Sequence, residues 1–99
     1  MLGLLVLALA LPSCRKASHS VTLIWEPTPS AAGVSVVGYN VYRRTKPEGP
    51  RTKIASRVPG PSYEDRDVVS GRTYFYVVTA VAQSGRESRL SEEARAKVP

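Results

Sequence analysis

Cys14, His19 and the acidic run Glu64, Asp65 and Asp67 are the residues whose types could do chemistry. The chain holds one cysteine and one histidine in 99 residues. A thiol needs a second cysteine to make an internal disulfide, and a nucleophilic thiol needs a base to draw off its proton. His19 has no second metal ligand or nucleophile spaced to work with it. Calcium takes about six to eight oxygens, and in EDRD the carboxylates are interrupted by Arg66, the pattern of a solvated turn. The sequence has no glycine-rich phosphate loop, metal-spaced Cys/His set or nucleophile elbow. The chain therefore reads as a non-enzyme with no cofactor and no metal, and the chemical role left is modification of Cys14.

The residues before Cys14 suggest which modification. Met1–Ser13 carries no charge, and Leu2–Leu11 is Leu, Val and Ala with a single Gly. A helix of that length rises about 15 Å, roughly half a hydrocarbon core, too short to span but suited to the apolar core of a secretory signal peptide. Leu11-Pro12-Ser13-Cys14 resembles the lipobox of bacterial lipoproteins. That resemblance implies cleavage before Cys14 and a diacylglyceryl group on its sulfur. Residues 1–13 are then a signal peptide, 14–19 a linker and 20–99 the domain, anchored to the bacterial envelope through lipid on Cys14. The location would be the outer membrane or the periplasmic or extracellular face. Arg15 and Lys16 would sit against anionic headgroups. The same apolar run also suits a buried strand or helix with a free cysteine, or a leader cleaved without lipid.

Beyond Ser20 the hydrophobic period is two, which marks strands. Val21–Trp25, Val36–Arg44, Thr52–Ser56, Ser62–Asp65, Tyr74–Ala82 and Leu90–Val98 read as strands. Between them stand Pro27 and Pro29, KPEGP, PGP, Ser70-Gly71 and Ser84-Gly85, all turn chemistry. SEEARAK scores as helix on propensity, but an edge strand can carry the same charges, so it is read as strand. Short strands at this spacing argue for an all-β sandwich.

VTLIW, GYNVYR, SYEDRDVVSGRTYFYVVTAV and SGRES, in that order, resemble a fibronectin type III domain of the bacterial kind. The resemblance implies an immunoglobulin-like sandwich of two antiparallel sheets. Only Cys14–Ser20 remains for its first strand, which is expected to be short or missing. Trp25 should fill the centre and Tyr74 should occupy the tyrosine corner. Alternation places Tyr74, Tyr76, Val78 and Ala80 inward, facing Tyr39 and Val41.

Two surfaces could bind. Arg43, Arg44, Lys46, Arg51, Lys53 and Arg57 crowd one segment opposed only by Glu48, and an anionic glycan or envelope protein would suit them. The chain is basic throughout, with 14 Lys+Arg against 8 Asp+Glu. The lack of interleaved aromatics argues against nucleic acid. The second surface is the outward face of the long strand, Phe75 and Val77 with Tyr42, more apolar than a solvated sheet needs. The reading is a lipid-anchored module for protein or glycan binding. The alternatives are an accessory module of a secreted glycan-degrading system, or a spacer with no ligand.

Overall fold

The computed structural model describes residues 6–12, 19–27 and 35–99. Cys14 and residues 15–18 of its linker lie outside the described residues, and His19, the linker's last residue, opens a strand. The described chain holds seven strands and no helix: β1 Val6–Pro12, β2 His19–Trp25, β3 Val36–Arg44, β4 Thr52–Val58, β5 Ser62–Asp65, β6 Thr73–Ala82 and β7 Ala94–Lys97. One sheet has the order β1-β2-β5 and the other β4-β3-β6-β7, with every pairing antiparallel.

The first strand is neither short nor missing. β1 pairs with β2 along all of its seven residues, with Val6 opposite Trp25 and Pro12 opposite His19. It is drawn from the apolar run that the sequence offers as a leader. Nothing in VLALAL resists pairing, and Pro12 sits at the end of an edge strand, where proline is tolerated.

The core lies between the sheets. Trp25, Tyr39, Val41, Tyr74, Tyr76, Val78, Val21, Leu23, Ala80, Ala96 and Val98 are buried together. Trp25 meets Tyr39 edge-on, with ring centroids 5.4 Å apart. The Val69 N–H donates to the Tyr74 hydroxyl at 2.9 Å, tying the loop after β5 to the start of β6. SEEARAK is extended, but regular pairing begins only at Ala94 rather than at Leu90. Upstream of it, two serines complete the edge of β6. Val78 N donates to Ser91 Oγ and Ala80 N to Ser88 Oγ, each at 2.9 Å.

Gly38 shows how closely β3 and β4 approach. A Cβ there would lie 2.9 Å from the Arg57 Cα, at a bulged position where Arg57 has φ 52°. The Arg57 N–H donates to the buried Asn40 side chain at 3.0 Å, which holds the bulge. Gly38→Ala should therefore cost about 1–3 kcal/mol by forcing two backbones apart. A fall in the urea midpoint with an unchanged slope would show it; an unmoved midpoint would mean that the bulge yields freely.

Candidate binding face of the four-stranded sheet

Pleating separates the residues that the sequence offered as one basic patch. Adjacent side chains on a strand point to opposite faces, so Arg43 and Arg44 part company. Arg43 lies on the inner side, at the end of the core. Its Nη1 donates to Asp65 Oδ2 at 2.8 Å, and its guanidinium stands 5.3 Å from the Tyr74 ring centre. It does not join a surface cluster, which corrects the expectation that the six cations gather in space. Asp65 is corrected too: it is 3% exposed, not a member of a solvated turn. The Tyr76 hydroxyl donates to Asp65 Oδ2 at 2.7 Å, and the Asp67 N–H donates to Oδ1 at 3.1 Å.

The other five cations are spread along β3, β4 and their turn. Arg44 and Arg51 both reach Glu93, with Arg44 Nε donating at 2.8 Å and Arg51 Nη2 at 3.1 Å. Lys46 lies in the β3–β4 turn, beside an open depression it lines with Pro47, Glu48, Gly49 and Pro50. Lys53 stands 6.0 Å from the centre of the Tyr42 ring. Arg57 is exposed at the far end of β4. The basic segment is thus partly neutralised by an acid 42 to 49 residues away in sequence, which charge counting along the segment could not show.

The outer face of this sheet is ordered in rows by the strand register. Arg44, Phe75 and Arg95 stand side by side on β3, β6 and β7, and Lys53, Tyr42 and Val77 on β4, β3 and β6. Val77 is 1% exposed, so it serves as the floor of the face and not as a contact. Tyr42 and Phe75 are half-buried and still reach solvent. Glu87 closes the upper end: Tyr42 Oη donates to Glu87 Oε1 at 2.5 Å and Thr79 Oγ1 donates to the same oxygen at 2.6 Å. What remains is a shallow platform of two aromatic rings rimmed by Arg44, Lys53, Arg95 and Glu87. It can pack rings against a flat ligand and offer charged hydrogen bonds at its margin. Among the described residues no group of His, Cys, Asp and Glu could hold a metal ion.

The carboxylates that shape the platform are acid-sensitive. The Thr79 hydroxyl, followed by that of Tyr42, holds the Glu87 carboxyl below the usual carboxylate range. Arg44, followed by Arg51, does the same for Glu93. Burial, then the bond to Glu87, pushes the Tyr42 phenol up and keeps it a donor. A carboxylate with a lowered folded pKa stabilises the fold above its unfolded value, and that contribution fades as pH falls through the folded value. The Glu87→Gln/Glu93→Gln variant should therefore melt below the wild type at pH 7, and the gap should close in acid, below about pH 4. Thermal melts from pH 7 to pH 3 check this; a gap that persists unchanged at pH 3 would show that the two bonds do not depend on ionisation.

The model of the third fibronectin type III domain of SaeA matches residues 12–99. Amylopullulanase from Thermoanaerobacter thermohydrosulfuricus is 43% identical over 76 residues, covering 77% of this chain and 5% of that protein. Amylopullulanase from Thermoanaerobacterium saccharolyticum is 39% identical over 71 residues, covering 72% of this chain and again 5% of the relative. The chain thus spans about a twentieth of the length of these relatives. Among solved structures, a fibronectin type III-like protein from Clostridium thermocellum has a TM-score of 0.74 at 33% identity, covering 95% of this chain and 91% of its own. Human titin module A71, at 22% identity and TM-score 0.71 over 94% of this chain and 85% of its own, shares the fold.

Proposed function

The chain belongs to the fibronectin type III family, and from that premise we propose that it is an accessory binding module of a glycan-degrading system, held at the bacterial envelope by lipid on Cys14. The domain itself is not catalytic. The observation that carries the reading is the identity shared with segments of amylopullulanases over three quarters of this chain. The module's task is to hold a partner near polysaccharide, and its contact surface is the Tyr42–Phe75 platform. An aromatic ring packs against the apolar face of a sugar ring, while rim charges bond its hydroxyls, the division of labour usual in small-molecule sites. Lys53 and Arg95 tilt the choice toward anionic glycans, whereas Arg44 is engaged by Glu93. Lys46, Arg51 and Arg57 lie off the platform and add only general attraction.

A glycan array probed with protein extracted from membranes tests this reading. Tyr42→Ala and Phe75→Ala should each lower retention at least tenfold, and Arg57→Ala should leave it within twofold. Retention of no glycan by the wild type would overturn it. The anchor is tested separately, by intact mass of the membrane-extracted chain. A mass that starts at Cys14 and includes acyl chains is expected; an intact Met1 would exclude the anchor.

A further inference from the structure

We propose that release of the leader before Cys14 frees β2 as a pairing edge, and that β2 of a second copy of this chain takes the vacated seat, antiparallel about a two-fold axis. The inference rests on the anchoring reading above, since cleavage there removes β1 whole: the strand ends at Pro12.

The composition of β2 is what points to a second neighbour. His19–Trp25 reads HSVTLIW, with no Lys, Arg, Asp, Glu or Pro. Downstream of β1, the other strand without a Lys, Arg, Asp or Glu is β6, which is flanked by β3 and β7. The strands at sheet edges are marked differently. β4 carries Lys53 and Arg57, β5 carries Glu64 and Asp65, and β7 carries Arg95 and Lys97. Charges of that kind are how edge strands resist pairing with another chain. By this measure β2 has the make-up of an interior strand, and it has an interior strand's place only while β1 stays beside it. With β1 gone, β5 still covers one side, pairing with Val21–Ile24, and the other side presents unpaired N–H and C=O groups.

The occupant must be extended, uncharged and able to run antiparallel to β2, because that is what β1 is. A second copy supplies such a segment at every encounter, namely its own freed β2. Antiparallel pairing of a strand with itself is self-complementary, so a two-fold axis closes the assembly at two chains. Anchoring both copies in one membrane raises their effective concentration. Ile24, 43% exposed beside this edge, gains cover in the pairing.

The test uses the full chain produced in a bacterial host, extracted from its membranes in mild detergent and sized by native mass spectrometry. The processed wild type should give a dimer. Cys14→Ser, which keeps β1 in its seat, should lower the dimer at least tenfold. Thr22→Lys should do the same, because Thr22 sits mid-strand and would set two cations against each other across the axis. Within one chain that lysine faces Glu64 on β5, so the fold tolerates it. Ile24→Lys is a second disruptor at an exposed position, should Thr22→Lys fail to fold. A processed wild type that stays monomeric overturns the proposal, as does a dimer indifferent to both lysines. A complex with a different envelope protein in place of the second copy overturns it too. Intact mass of the same sample separates these results from a failure of processing: an uncleaved wild type removes the premise, whereas a cleaved monomer removes only the pairing.

Discussion

Asp65→Ala is expected to cost about 3 kcal/mol, the low end of the range for breaking a buried ion pair. For a domain of this size that lowers the melting temperature by roughly 12–24 °C. Three donors converge on the carboxylate: Arg43 Nη1 at 2.8 Å, the Tyr76 hydroxyl at 2.7 Å and the Asp67 N–H at 3.1 Å. Removing the acceptor leaves the Tyr76 hydroxyl buried without a partner, on a side chain that is 0% exposed. Arg43 suffers less, since it keeps the Asp67 carbonyl at 3.0 Å and its side chain is 18% exposed. That is why the low end of the range applies. The cost comes from stranding the partners, more than from the worth of the pair. Asp65→Leu combined with Arg43→Leu and Tyr76→Phe should accordingly recover most of the lost stability. Urea unfolding followed by fluorescence measures both. A single variant within 0.5 kcal/mol of wild type would show that the carboxylate is dispensable, and a triple variant as unstable as the single one would refute the stranding argument.

Trp25→Ala should be at least as damaging, about 3–5 kcal/mol, because it empties the middle of the sandwich. The indole is 3% exposed and lies edge-on to Tyr39. Its backbone N–H donates to the Pro61 carbonyl at 2.9 Å, a bond the substitution keeps, so the loss isolates packing. Trp25→Phe retains a ring against Tyr39 and should cost less than half as much. Its Nε1 finds no hydrogen-bond partner among the described residues, so replacing the indole by phenyl forfeits no bond there. Trp25 is the one tryptophan of the chain, and its emission should lie at the short wavelengths of a buried indole in the wild type. Circular dichroism melts of the two variants give the stability order. Equal costs for Ala and Phe would mean that ring packing is not what holds the two sheets together here.

The sandwich was legible because the signals that specify it are local. Alternation along VTLIW, GYNVYR and YFYVVTAV assigns each side chain to a face, and Pro and Gly clusters mark where the chain must turn. Val36–Arg44 and Ser62–Asp65 begin and end where the sequence puts them. The same rule already implied that Arg43 and Arg44 diverge, yet counting charges along the segment merged them. Other assignments had no local signal. Nothing in EDRD distinguishes Asp65 from Asp67, although the former is buried and the latter's side chain is 96% exposed. Nothing in SGRESRLSEE singles out Glu87 and Glu93 as the acids that reach Tyr42 and Arg44. The serines that complete the edge of β6 read only as loop residues.

By itself, then, the sequence determined the class of fold and the residues that fill its centre, because periodicity and turn chemistry are properties of neighbours in the chain. Only the tertiary structure decided which charges are spent on one another, which outer residues still face solvent and what lies beside β2. Those outcomes depend on contacts between segments twenty to fifty residues apart, such as Arg43 with Asp65 and Arg44 with Glu93. Ion pairing falls off with distance in space and is indifferent to distance along the chain, so no window of sequence contains it.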